Sequence, residues 1–534
     1  MALTFFVYLP IFRVFFQQDE WTSFGRFFAA RGSDPVKTIQ AFFTPTVGHY
    51  VPLTQLFTYL YFQIFEINSY SYALESLGAH LLIVFLIYTL SSKIFSNRIY
   101  ALLTAGFFAL NASSHQATSW LVADINTHIS TIFALLSMLS LLNWRKVWLS
   151  IVLLITALLF KETPIGLFLI LPLGVYLFNG GSQIEKFRIM VKILTSGFLY
   201  LLFRVSMVFL QKTLVAETLV TKSQSIYEIL VNLFTFPTKI LAQLFMPTRL
   251  LLFLARSLAQ VLPQVLTGAR NTTAFDRFIE GTSLQIIYWI IFIVLVGGVY
   301  FLIRKIKDAE SKKAIIFGLS FFFINSLIYI LSPGRPGNIP DVDSRNLYFP
   351  LIGVSIFLIS LFNLLFMRKI IKLILTVVFL TAIHVVWLHK ELVNLSNVGQ
   401  ERRTILEQVK LENPKLPQKT VFYMESDKPF YGLADDEKIF PFQMNLGFIL
   451  LVWYWPTENF PASFGDQTKF LYKLTAEEYK GDGERGFGYY RNFQSLTDAV
   501  LKYNLPVDSI IAYRFNSLSQ KIEDITYQTQ SKFR

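Results

Sequence analysis

The chain has 534 residues, is 53% hydrophobic and carries 48 Lys and Arg against 35 Asp and Glu, a net charge of +13. A mean hydropathy of +0.48 lies well outside the composition of soluble globular proteins and marks a membrane protein. The absence of cysteine excludes disulfides and thiolate metal sites. Basic residues in short clusters between apolar runs fit a positive-inside bias and argue against nucleic acid as a partner.

The first apolar stretch, 2–16, ends at Asp19-Glu20-Trp21. No small-residue cleavage site precedes the acidic pair, so the stretch reads as an uncleaved anchor. About fifteen residues reach only ~22 Å of a ~30 Å hydrocarbon core, so a few further residues are expected at the start. Residues 51–66 (VPLTQLFTYLYFQIFE) are apolar but short, and read as an interfacial helix on the outer face.

Apolar segments follow at 72–92, 99–111, 127–143, 147–160, 163–178 and 190–210, and again at 285–303, 314–331, 350–366 and 373–389. Between them lie Lys93 with Arg98, Arg145-Lys146, Lys186 with Arg188 and Lys192, the run from Arg304 to Lys313, and Arg368-Lys369 with Lys372. Placing all five clusters in the cytoplasm gives a consistent alternation with a cytoplasmic N-terminus, and about twelve crossings fit. Residues 211–284 hold apolar helices near 226–246 and 249–266, readable as a hairpin or as a pair along the membrane.

After His389 the composition becomes that of soluble sequence. A helix is expected at 391–412 and strands at 420–423, 448–453, 470–474 and 509–515. The expected fold is thus an α-helical polytopic membrane domain over 1–389, followed by an extracytoplasmic α/β domain over 390–534.

This topology puts the loops at 17–50, 112–126, 161–162 and 332–349 on one face, the extracytoplasmic side of a cell membrane. They hold Asp19, Glu20 and His49, then Asn111, His115, Trp120 and Asp124, then Lys161-Glu162, and finally Asp343, Arg345 and Tyr348. Adjacent carboxylates at a bilayer boundary are costly to bury and point to surface chemistry. Each residue also has a plainer reading. Asp19 could simply end an apolar segment, His49 could cap a helix, His115 and Trp120 could anchor at headgroups, and Lys161 could pair with Glu162. Glu75 and His80 lie within an apolar segment, where an internal hydrogen bond accounts for both. No His pair has ligand spacing on a helix, so no metal is expected.

The strings around these residues are DEW at 19–21, HYVPL at 49–53, NASSHQATSWLVAD at 111–124, FKETPIGLFLILP at 160–172 and SRNLYFPLIG at 344–353. In order and spacing they resemble the multi-spanning GT-C glycosyltransferases, especially protein O-mannosyltransferases and bacterial TPR-linked transmembrane mannosyltransferases. The resemblance implies transfer of a mannose-like hexose from a polyprenyl-phosphate carrier to an acceptor hydroxyl of a glycan, lipid or protein. Transfer would invert the anomeric centre and use no cofactor, and Asp19 would be the catalytic base with Glu20 beside it.

The chemistry agrees, because a hydroxyl is a poor nucleophile until a carboxylate withdraws its proton, and a departing lipid phosphate needs a cation. Arg345 is the first choice for that cation and Lys161 the second, with Glu162, His49, His115, Trp120, Asp124 and Tyr348 as further substrate contacts. Val51, Glu20 and Asn346 depart from the residues common in the family, and no TPR array follows. Two other readings stay open: a transporter or flippase for an anionic or lipid-linked substrate, and a polysaccharide polymerase or ligase.

Overall fold

The computed structural model describes residues 1–31, 34–43, 50–122, 124–214, 226–266, 273–300, 309–331, 342–367, 369–427, 440–442, 446–465 and 477–534. His49, the strand expected at 470–474 and residues 332–341 of the last outer loop lie outside them.

Helix α1 (Ala2–Tyr8) tightens into a 3-10 turn over Leu9–Arg13, with Pro10 in its first turn, and Val14 is already extended. The first apolar helical unit is therefore Ala2–Arg13, shorter than the expected 2–16. Helices α2 (Gln18–Arg31), α3 (Pro35–Phe42) and α4 (Pro52–Phe65) follow, the last being the short helix read at 51–66. Asn68 caps α5 (Ser69–Phe95) by accepting the Tyr70 N–H at 3.1 Å, and Ser96 ends it in the left-handed region at φ 50°. Asn97 immediately caps α6 (Arg98–Ala109) through the Ile99 N–H at 2.8 Å, so stop and start signals share one tight corner.

The short α7 (Gln116–Ser119) leads to α8 (Asp124–Leu142), α9 (Val147–Phe160), α10 (Leu167–Phe178) and α11 (Gln183–Leu214). Helices α12 (Ile226–Phe245) and α13 (Thr248–Leu266) meet at Pro247, and their apolar portions diverge by 108°. Proline lacks an N–H and restricts the residue before it, which explains a break at that point. Helices α14 (Thr273–Phe292), α15 (Ala309–Leu327), α16 (Ser344–Leu365) and α17 (Ile370–Glu412) complete the bundle.

Among the described residues, seven helices are long and apolar enough to cross a membrane, and the bent pair would make eight. Four more apolar helices, Ala2–Arg13, Arg98–Ala109, Val147–Phe160 and Thr163–Phe178, fall below the length of ~20 residues that a full crossing needs. The expected count of about twelve included these short helices.

Nearly the whole of α16 is buried, which makes it the central helix. It packs against α15 through facing glycines. A Cβ on Gly353 would lie 2.6 Å from the Phe322 nitrogen, and one on Gly318 would lie 2.7 Å from the Phe357 nitrogen. Without side chains at these two positions the backbones approach directly, as small residues permit in apolar surroundings.

Helix α17 has 43 residues, about 65 Å at 1.5 Å per residue. The composition change at 389 thus falls inside one continuous helix. Beyond it, a five-stranded sheet has the order β2-β3-β1-β4-β5, with β1 (Lys419–Ser426), β2 (Glu478–Asp482), β3 (Arg485–Tyr490), β4 (Ile510–Asn516) and β5 (Lys521–Asp524). Central β1 runs parallel to β3 and β4, and the edge strands are antiparallel to their neighbours.

Residues 448–453 form no strand, contrary to expectation, and lie in α18 (Leu446–Glu458). Its residues Leu446–Val452 are buried throughout, and a fully buried run shows neither strand nor helix periodicity. This helix joins the two parts of the chain. Trp453 Nε1 donates to the Leu406 carbonyl of α17 at 3.1 Å, and Phe448 fills the space beside Gly25 of α2.

Candidate functional site

The acidic motif after the first helix divides its labour. Glu20 is 1% exposed, and its Oε1 accepts the Val122 N–H at 2.5 Å while Oε2 accepts the Gln17 N–H. Trp21 is fully buried among Phe15, Phe16, Phe24 and Trp453. Asp19 precedes both, in the first turn of α2, and its side chain lies outside the described residues.

The second loop is pinned from several directions. Asn111 caps it by accepting the Ser113 N–H at 3.0 Å and donates to the Leu244 carbonyl at 2.9 Å. Ala112 N–H donates to His384 Nδ1 at 3.2 Å, so Nε2 carries the ring proton, facing the Phe245 carbonyl at 3.3 Å. Gln116 N–H donates to Ser344 Oγ at 3.1 Å, which sets the loop against the start of α16.

There the Arg345 guanidinium lies 4.5 Å from the centre of the Trp120 ring and 4.0 Å from the Asp343 carboxylate. Its side chain is 28% exposed. The Trp120 Nε1–H is buried without a hydrogen-bond partner among the described residues. The result is a stacked, partly accessible cation beside a donor with no acceptor among the described residues, a pair suited to an anion. His115 bonds Ser119 Oγ at 3.0 Å through Nδ1. Burial pushes its pKa down to about 4, with Arg249 adding to the shift and Glu391 opposing it.

Lys161 and Glu162 form no ion pair with each other. Lys161 Nζ donates to Thr127 Oγ1 at 2.7 Å, one turn into the helix that Asp124 begins. Glu162 instead accepts from Arg204 at 3.1 Å and from the Tyr50 N–H at 3.0 Å. Lys161 is extended (φ −158°, ψ 141°) and Glu162 helical (φ −74°, ψ −11°), so adjacent side chains leave in different directions. The side chain of Asp124, like that of Asp19, lies outside the described residues.

Tyr348 belongs to the core, not to the loop surface. It is 1% exposed and donates its hydroxyl to His80 Nδ1 at 2.7 Å, while His80 Nε2 donates to the Ala109 carbonyl at 3.1 Å. The expected Glu75–His80 bond is therefore absent, and Glu75 Oε2 is buried without a partner among the described residues.

Three residues escaped the sequence reading. Arg204 holds Glu162. Gln243 clasps the Val342 backbone, accepting its N–H at 3.0 Å and donating to its carbonyl at 3.3 Å. Lys239, 2% exposed, sits one turn before Gln243. A lone lysine in the apolar run TFPTKILAQLF was the visible signal, since intramembrane charge is functional by default.

Among the described residues no three His, Asp or Glu side chains are grouped to hold a metal. No family model, curated protein or solved structure matches the chain.

Proposed function

We propose that the protein is a membrane glycosyltransferase that moves a hexose from a polyprenyl-phosphate carrier to an acceptor hydroxyl. The observation that carries this reading is the convergence of four distant segments. Glu20 binds Val122, Trp120 stacks on Arg345, Gln116 meets Ser344 and Lys161 reaches the start of α8. A carboxylate segment and two cations are thereby brought to one end of the bundle, as activation of a hydroxyl and departure of a phosphate require.

Asp19 takes the acceptor proton, the acceptor oxygen bonds to the anomeric carbon from the face opposite the carrier, and the bond from that carbon to the carrier phosphate oxygen breaks. Arg345 receives the lipid phosphate, with Lys161 as the second cation. In this reading the short apolar helices complete about twelve crossings, the loop end and the C-terminal domain face outward, and the N-terminus is cytoplasmic. Membranes from cells producing Asp19→Asn, supplied with labelled polyprenyl-phosphate hexose, provide the test. Transfer at the normal rate would remove Asp19 as base.

One feature favours a second reading. The 108° bend between α12 and α13, with buried Lys239 in α12 and a buried Glu75 oxygen in α5 that has no partner among the described residues, fits a transporter, in which broken helices and intramembrane charge mark substrate paths. Sugar-phosphate uptake into vesicles without a covalent product would select it. A polymerase or ligase would instead require pyrophosphate-linked donors.

A further inference from the structure

A cavity of about 420 Å³ opens between the bundle and the C-terminal domain, beside the Phe15–Trp453 contact. Its walls come from three elements: Asn68 and Ser69 at the start of α5, Arg403 and Lys410 on the distal half of α17, and Trp453 on α18. Three sources of positive potential therefore meet in one space.

Lys410 Nζ donates to the Trp453 carbonyl at 3.1 Å and lies 5.6 Å from the centres of the Trp453 and Tyr454 rings, and its other two N–H bonds have no hydrogen-bond acceptor among the described residues. Arg403 spends only Nε, on Glu407 at 2.7 Å, and its terminal nitrogens have no acceptor among the described residues. Ser69 is 6% exposed, its hydroxyl has no hydrogen-bond partner among the described residues, and it opens a helix of 27 residues whose dipole favours an anion. The carboxylate in the lining, Glu66, is taken by Arg31 at 2.9 Å. Phe15 and Trp453 supply an apolar wall.

We infer that this cavity binds a phosphate group, with Arg403, Lys410 and the start of α5 around the oxygens and Trp453 against the body of the ligand. This site is separate from the Arg345 site and holds whether or not the transfer reaction does. A phosphate could arrive on a lipid headgroup or on a soluble ester.

Full-length protein in neutral detergent is titrated with glycerol phosphate by calorimetry, and native mass spectrometry follows retention of phosphatidylglycerol against phosphatidylcholine. Arg403→Gln and Lys410→Gln are compared with Lys93→Gln at the opposite end of α5, and melting temperatures identify any variant that fails to fold. Each cavity variant should weaken binding on the order of tenfold, the worth of a charge-assisted hydrogen bond, with Lys93→Gln unchanged. Response to glycerol phosphate assigns a soluble ester, and response to phosphatidylglycerol alone assigns a headgroup. The inference fails if neither probe binds, or if Arg403→Gln, with its half-exposed side chain, folds normally and binds both probes as the wild type does.

Discussion

Glu20 and Val122 stand 102 positions apart, yet the Glu20 carboxylate accepts the Val122 N–H at 2.5 Å. This bond, together with that from Gln17, makes Glu20 an acceptor between two loops. Its neighbour Asp19 is the residue proposed for the chemistry.

The two acids should therefore separate by assay. Asp19→Asn should cut transfer from a lipid-phosphate donor by about 10²- to 10⁴-fold, the usual worth of a general base, with little change in melting temperature. Glu20→Gln turns two acceptor oxygens into one acceptor and one donor facing a backbone N–H, and should cost roughly 1–3 kcal/mol of stability. Thermal unfolding in detergent and transfer rates measured on the same preparations check both. Equal melting losses in the two variants would undo the division.

Arg345 lies 4.5 Å from the centre of the Trp120 ring, so its value depends on a planar, stackable cation. Arg345→Lys keeps the charge but loses the fork and the stacking, and should lower kcat by roughly 10²-fold, as loss of one preorganised electrostatic donor does. Trp120→Leu should give a smaller loss through Arg345 misplacement. Steady-state kinetics that show a change in KM alone for Arg345→Lys would place it in ground-state binding instead.

His115 is held down to about 4 by burial, against an ordinary value of 6.5. The unfolded chain then binds more protons than the folded one between these values, so stability rises with pH through that window. The contribution is fully present above pH 6.5 and is lost as pH falls toward 4. His115→Gln should flatten this part of a plot of melting temperature against pH. An unchanged slope would show that other groups set the acid limit.

The apolar segments at 72–92, 127–143 and 350–366 were legible because hydropathy is a local signal. The helix at 446–458 was misread because burial on all sides erases periodicity. Site membership was harder. Sequence nominated Glu20, Tyr348 and Glu162 alongside Arg345 and Trp120, but each of the first three is committed to a partner in another segment: Val122, His80 and Arg204. Long-range partners leave no mark on local composition. Lys239 did leave one, as a charge in an apolar helix; it is buried and lies one turn before Gln243, the residue that clasps Val342.

The packing of the central helix gives the sharpest structural test, because it contrasts two glycines of the same bundle. A methyl group on Gly353 would meet the Phe322 nitrogen at 2.6 Å and the Gly318 oxygen at 2.7 Å, which are backbone atoms that cannot rotate away. Gly78 on α5 has nothing within 4 Å of the same added atom. Gly353→Ala should therefore force α15 and α16 apart and cost about 1–3 kcal/mol, as overpacking does. Gly78→Ala should be neutral or stabilising by up to about 1 kcal/mol, because alanine restricts the backbone less unfavourably within a helix. Because α16 begins with Ser344 and Arg345, the separation should also disturb the Arg345–Trp120 stack, so Gly353→Ala should lose activity beyond its loss of folded protein. Thermal unfolding of both variants in one detergent checks the first part, and activity per folded molecule checks the second. If Gly353→Ala melts with Gly78→Ala, the two helices do not approach as closely as their glycines allow.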